Sequence, residues 1–292
     1  MAATITRVGF IGLGDQGGPM AEAIGEHGFD LHVWARHPAS LSAVERVPHT
    51  VHGTVADLAA SAELIGLCLR DDVDIWDILD DQGLLAAIAP GTIIVNHGTG
   101  GPTEAARIAE HVAQAGGVYL DGPVSGGSPG ARARTLTTFT GGSPDAFEKA
   151  RPVFDTFSDT VMLMGPVGAG QFTKLFNNAL TITNMKNAED VLGLASQVGL
   201  NLPALIDVID TSSGGSAALR SLGRDITPEL AEHVHLLMKK DIHHFADAVH
   251  AAGGGDPSEV LERGLAGAAG LVAAARMVAR ARRTATPEHR LA

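Results

Sequence analysis

The stretch VGFIGLGDQGGPM, residues 8–20, constrains the fold of this chain more than any other. Its first residues read as a buried strand, and Gly12, Gly14 and Gly17 follow on the G-x-G-x-x-G spacing. A helical pattern over 20–27 completes a strand–turn–helix unit. In that setting each glycine has a steric purpose. The first permits the tight turn, the second lets a pyrophosphate approach the backbone, and the third lets helix and strand pack closely. The helix N-terminus adds unpaired amides and a partial positive charge. The unit therefore points to a dinucleotide, against the plainer alternative of a tight turn. Asp15 and Gln16 are the odd members of the loop. A carboxylate at the start of a helix is favoured by the amides and the dipole, so Asp15 is expected to point away from the phosphates.

Up to about residue 165, strand and helix patterns alternate, as in a parallel sheet covered on both faces. Strands are expected at Arg7–Ile11, 31–34, 64–69, 92–95, 118–120, 136–140 and 161–164. Helices are expected at 102–115 and 143–157. Beyond Gly170 the strand signal fades. A long helix is expected over 171–198, with Phe172, Leu175, Phe176, Leu180, Met185, Val191 and Leu194 as its buried positions. Further helices are expected at 203–210, Pro228–Ala251 and 257–283, and the tail from Thr284 is read as frayed. The fold class is therefore α/β: a Rossmann-type doubly wound parallel sheet, then an all-helical C-terminal domain, joined by a long interdomain helix. The GPVGAG breakers place the boundary so that 1–166 bind the nucleotide and 167–292 form the helical domain.

Composition narrows the class of partner. The chain of 292 residues carries 33 acidic against 21 Lys and Arg side chains, a net charge of −12, which argues against nucleic acid. One cysteine, Cys68, excludes an intramolecular disulfide and a cysteine-rich zinc site, in keeping with a reduced cytoplasm. The N-terminus lacks the apolar core of a signal peptide, and apolar runs are interrupted well before the ~20 residues of a membrane span. The alanine-rich stretch 264–283 is read as a buried or partner-packing helix. Among 13 histidines, neither His233 with His235 nor His243 with His244 has i, i+4 spacing, so no metal site is expected.

The second strand ends in Trp34, Ala35, Arg36 and His37, without the acid that usually receives the adenine ribose of NAD. Arg36 in that place suits a 2′-phosphate, which favours NADP over NAD; the alternative is a solvated loop arginine. Three later stretches carry chemistry. DGPVSGG, from Asp121, presents a serine and paired glycines suited to holding a carboxylate, or an ordinary βα turn. GAGQFTKLFNNA puts Lys174 and Asn178 at i, i+4 on a largely apolar helix, where desolvation would bring a lysine toward acid–base work. LLMKKDIHH carries Lys239, Lys240 and Asp241, alone no more than a charged helix face.

In this order, FIGLGDQGGPMA, NHGTGGPTE, DGPVSGG, GPVGAGQFTKLFNN and MKKD resemble the β-hydroxyacid dehydrogenase family over residues 8–251. The resemblance implies an NAD(P)-dependent oxidoreductase acting on a small 3-hydroxy acid or aldehyde acid, a homodimer or homotetramer. It implies Lys174 as the catalytic lysine with Asn178 beside it, and Ser125, Gly126 and Gly127 holding the substrate carboxylate. Gly12, Gly14, Asp15, Gln16, Gly17, Arg36, Leu69, Thr99 and Lys240 would contact the cofactor, Lys240 from the helical domain. Gly98 stands where the family has serine, Arg134 where it has glycine, and Gln16 where it commonly has an apolar residue. These departures suggest a reshaped pocket. Imine reductases share the architecture but typically lack the lysine. A non-catalytic nucleotide-binding protein on the same fold is the alternative from another class.

Overall fold

The computed structural model describes residues 5–284; most of the tail read as frayed lies outside them. The chain forms two compact units that meet between Lys174 and Leu175.

The first unit opens with β1 (Arg7–Ile11), α1 (Gly17–Glu26), β2 (Asp30–Trp34), a 3-10 turn and β3 (Thr50–Val51). α2 (Val55–Ser61), β4 (Leu64–Leu67) and α3 (Asp72–Trp76) follow, the last running into a turn of π-helix, Asp77–Asp81. Then come α4 (Leu84–Ala87), β5 (Ile93–Asn96), α5 (Pro102–Gln114) and β6 (Val118–Asp121). β7 (Val124–Ser125), α6 (Gly127–Ala133), β8 (Leu136–Gly141), α7 (Pro144–Phe154) and β9 (Ser158–Gly165) complete the sheet. Strands β3-β2-β1-β4-β5-β6 lie side by side and parallel; β8 turns antiparallel against β6 and β7, and pairs in parallel with β9. The two-residue strands β3 and β7 and the short helices were not visible as hydrophobic periods, being too short for the pattern to recur over a window.

Alternation along the strands sends neighbours to opposite faces, and both faces are covered. Phe10 joins Met20, Ile24, Val33 and Phe154 in one cluster. Ile11 joins Leu58, Ile65, Leu67 and Ile108 in the other. Strands buried on both sides are the mark of a doubly wound sheet. The register sets Ile11 beside Trp34 on one flank and Leu67 on the other, so the loops leaving β2, β1 and β4 emerge along one edge. Ligands of such folds bind at that edge.

The second unit is helical. α8 (Ala169–Gln197) begins in the first unit and continues into it, followed by α9 (Leu202–Asp210), α10 (Ala217–Arg224), α11 (Pro228–Ala251) and α12 (Ser258–Thr284). Side chains of Asn201, Ser216 and Thr227 cap α9, α10 and α11. The buried stripe of α8 differs from the expected one. Leu175 and Met185 are buried as expected, together with Ala179, Ile182, Ala188, Leu192 and Ala195. Phe176, Leu180, Val191 and Leu194 are exposed, and Phe172 is only half-buried. The helix is apolar on two faces, and the one rich in alanine is turned inward because small side chains let helices approach closely. Contrary to the expected lack of any such stretch, Ser258–Arg283 is long and apolar enough to cross a membrane by length and composition; an 18-residue window of it has a mean hydropathy of 1.2, with 39% of that window buried.

Candidate functional site

The glycine turn can be tested against the dinucleotide that it suggests. Gly12 has a φ of +100°, and a Cβ there would overlap the carbonyl oxygen of Cys68. A Cβ on Gly17 would overlap the carbonyl oxygen of Gly12. At Gly14, by contrast, a Cβ would meet nothing within 4 Å. Two glycines are thus demanded by the protein itself, while the middle one borders open space at the N-terminus of α1. That is the arrangement needed for a pyrophosphate to approach the backbone. The residues present fit the cofactor.

Around this turn the expected residues take up definite places. Asp15 is exposed and lies before the N-cap of α1; its carbonyl receives a 2.9 Å hydrogen bond from Ser128 Oγ. The Gln16 amide lies 4.0 Å from Cys68 Sγ, a thiol that burial pushes up to about 11 and so keeps neutral. Leu69 lies against the Gly12 position on one side and, through its carbonyl, against Gly98 on the other. This explains the departure at Gly98, since a Cβ there would come within 2.6 Å of the Leu69 oxygen. Arg36 is no free cation: its guanidinium reaches Asp77 Oδ2 at 2.5 Å and Asp74 Oδ1 at 3.3 Å.

The loop carrying Thr99 is held from both ends by one side chain. Gln171, fully buried, donates from Nε2 to the Gly98 carbonyl at 2.8 Å and accepts from the Gly100 amide at 2.9 Å. Gln171 lies in the first turn of α8, whose N-terminus is fastened in turn by Asp121. The two Asp121 carboxylate oxygens accept from the Gly168 and Gln171 amides, each at 2.8 Å. Burial pushes the Asp121 carboxyl up to about 6, although these amides favour its ionised form. Lys174 follows three residues after Gln171 on the same helix and is half-buried. Gln171 and the Asp121 carboxylate were missed as site residues, although both sit inside the quoted motifs, one turn before Lys174 and at the head of DGPVSGG.

His97, one step before this loop, is a core residue. Its ring stacks on Phe10 with centroids 6.1 Å apart and meets the edges of Phe154 and Phe157 at 5.6 and 5.5 Å. Nδ1 donates to the Gly122 carbonyl at 2.8 Å, and burial pulls the imidazole down to about 4.

Ser125 ends β7, where it pairs with Thr137, and Gly126 and Gly127 follow exposed, with φ of +123° and +60°. Arg134 is held between α6 and α1. It adopts a left-handed φ of +61°, which suits the family's glycine, at the C-terminus of α6. Its guanidinium ties α6 to α1 through the Pro19 carbonyl at 2.5 Å and Glu26 at 2.8 Å.

Within the second unit, Asn178 Nδ2 donates to Asp241 Oδ2 at 2.7 Å, and Asn178 Oδ1 accepts from Asn177 at 3.2 Å. Asp241 of the MKKD motif thus fixes the Asn178 amide, a pairing that helical spacing alone does not reveal. Lys240 is half-buried and Lys239 exposed. Among the described residues no three His, Cys, Asp or Glu side chains gather in a way that could hold a metal.

A doubly wound sheet with this turn and a following helical unit defines a Rossmann-type nicotinamide-dependent oxidoreductase. Residues 7–165 match the NAD-binding domain of 6-phosphogluconate dehydrogenase, and 168–283 match the "NAD-binding of NADP-dependent 3-hydroxyisobutyrate dehydrogenase". The chain is 36% identical to the NAD-dependent L-serine dehydrogenase of Pseudomonas aeruginosa over 214 residues, 73% of this chain and 72% of that one. With the mitochondrial 3-hydroxyisobutyrate dehydrogenase of Homo sapiens it shares 31% over 213 residues, 73% of this chain and 63% of the relative. The solved 3-hydroxyisobutyrate dehydrogenase of Mycobacterium tuberculosis with L-serine superimposes with a TM-score of 0.78 at 25% identity, covering 96% of this chain and 100% of that one. The chain belongs to the β-hydroxyacid dehydrogenase family of NAD(P)-dependent oxidoreductases.

Proposed function

We propose that the chain oxidises a small 3-hydroxy acid, or reduces the corresponding aldehyde acid, with Lys174 as general acid–base. The nicotinamide, when bound, takes up the hydride in oxidation and supplies it in reduction. Lys174 removes the hydroxyl proton in the oxidative direction and returns it in the reductive one. Asn178, one helical turn further along α8, orients that oxygen, its own amide steadied by Asp241. The Ser125 hydroxyl and the amides of Gly126 and Gly127 hold the substrate carboxylate. Gly12, Gly14, Asp15, Gln16, Gly17, Leu69, Thr99 and Lys240 form the cofactor contacts, and Arg36 is the residue through which a 2′-phosphate would be met.

One observation supports this reading above the rest: Gln171 pins the start of α8 to the Thr99 loop and Asp121 pins it to the end of β6, one turn before Lys174. A lysine used for proton transfer needs such an anchored base, because misplacement by about 1 Å costs on the order of a hundredfold in rate. The relatives named for L-serine and for 3-hydroxyisobutyrate share one chemistry, a carboxylate two carbons from the carbinol carbon. That chemistry suits the proposed carboxylate site. The proposal also takes residues 1–166 as the domain that carries most of the cofactor contacts, and 167–292 as the helical domain of the substrate cleft and subunit contacts. The exposed apolar face of α8, with Leu180, Val191 and Leu194, supports a homodimer or homotetramer.

The test is Lys174→Ala, assayed with both dinucleotides on a panel containing L-serine, 3-hydroxyisobutyrate and small aldehyde acids. Turnover is expected to fall by about 10²–10⁴-fold, with dinucleotide affinity unchanged. Retained turnover sinks the assignment of the lysine. Activity of the unaltered protein on cyclic imines alone sinks the substrate class.

A further inference from the structure

Arg36 does not stand alone at the end of β2. Since β2 and β4 flank β1 on opposite sides, Arg36 reaches across the end of β1, beside the glycine turn, to acids that follow β4. Asp74 and Asp77 occupy two different nitrogens of the guanidinium, at 3.3 and 2.5 Å. Gln82 donates to the other Asp77 oxygen at 3.4 Å, and the Asp74 amide is capped by Asp71. Arg70, from the same loop, joins Asp71 at 3.1 Å and Asp74 at 3.8 Å. Two guanidinium charges thus face three carboxylates, Asp71, Asp74 and Asp77, where the sheet edge would receive an adenosine ribose.

A 2′-phosphate brings up to two negative charges and needs the planar fork of an arginine. Here that fork is already taken, and the surrounding charge is of the same sign as the ligand. A ribose with a free 2′-hydroxyl carries no charge there and meets no such repulsion. We propose that Asp74 and Asp77 are specificity-determining residues that withhold Arg36 from a 2′-phosphate, so that the chain prefers NAD to NADP. This reverses what Arg36 implies when it is read without its partners, and it rests on the nicotinamide reading of the glycine turn.

Direct binding tests it without turnover. Both tryptophans lie close by, Trp34 at the end of β2 and Trp76 on α3, so quenching of their fluorescence reports NADH and NADPH binding. The unaltered chain is expected to bind NADH at least about tenfold more tightly than NADPH, a difference of about 1.4 kcal/mol. In Asp74→Asn/Asp77→Asn, NADPH affinity is expected to rise by about tenfold or more, while NADH affinity moves by less than about threefold. The single variants should give intermediate gains, and they carry the test if the double variant does not fold. Adding Arg36→Ala to the double variant should abolish the gain. NADPH preference in the unaltered chain, or an NADPH affinity indifferent to both carboxylates, overturns the proposal and leaves the nicotinamide site standing. Failure of the unaltered chain to bind either dinucleotide overturns the reading beneath it.

Discussion

Replacing His97 with phenylalanine should abolish a loss of stability in acid. The imidazole is fully enclosed by Phe10, Phe154 and Phe157, and burial lowers it from 6.5 to about 4. Between those two values the unfolded chain binds a proton that the folded chain refuses. Stability is therefore intact above pH 6.5 and is lost as the pH falls toward 4. At about 1.4 kcal/mol per unit, the interval of some 2.5 units corresponds to a loss of about 3 kcal/mol. Phenylalanine has no proton to bind, so the variant escapes this loss. It also removes the Nδ1 donor of the Gly122 carbonyl, which should cost about 1–3 kcal/mol at every pH.

The expected outcome is a crossing. His97→Phe is the less stable protein at pH 7, and the gap closes or reverses by pH 4. Asp121 titrates in the same range but is common to both proteins, so it drops out of their difference. Urea unfolding followed by tryptophan fluorescence is the assay, because Trp34 and Trp76 both lie in the first unit with His97. A stability difference that stays constant from pH 7 to 4.5 would refute the argument.

Three further outcomes are expected. Asp121 has the opposite linkage: its carboxyl is raised from 3.8 to about 6, so the folded chain gains stability as the pH falls through that window, by about 3 kcal/mol, offsetting His97. Asp121→Asn should therefore steepen acid unfolding between pH 6 and 4, as read from urea midpoints; an unchanged slope counts against a raised carboxyl. Gly14→Ala should leave the melting temperature within about 0.5 kcal/mol of stability yet weaken NADH binding, whereas Gly12→Ala, with its φ of +100° and its overlap with Cys68, should lose several kcal/mol. Calorimetry and NADH titration separate the two, and equal effects on melting would contradict the turn geometry. Gln171→Leu leaves the Gly98 carbonyl and Gly100 amide unpaired, so it should destabilise the first unit by about 1–3 kcal/mol for each lost partner and lower kcat; a variant as stable as the parent would show that the bracket is dispensable.

What could be read from the sequence was whatever its cause lies within a few residues. The strand–glycine–helix unit is such a case, since the alternation of β1 and the spacing of Gly12, Gly14 and Gly17 are local properties. So is the onset of the helical unit, marked by a lasting change of period. The buried face of α8 was legible only in part. Periodicity ranks positions by hydrophobicity, and so passes over Ala179, Ala188 and Ala195, whose small size is what suits them to a close helix contact. The site depends still more on distant partners. Arg36 meets carboxylates 38 and 41 positions away, Gln171 holds a loop 71 to 73 positions away, and Asp121 caps a helix start 47 to 50 positions away. None of these distances has a period.

The cost of missing them differs between the residues. Overlooking Gln171 and Asp121 leaves the expected role of Lys174 as it was and only omits what holds that lysine in place. Overlooking Asp74 and Asp77 reverses an inference, because a guanidinium already shared by two carboxylates offers an anion far less than a free one. An isolated charge in a sequence therefore says where a phosphate could be met. Whether it is met depends on the counter-charges that the fold brings to the same edge of the sheet.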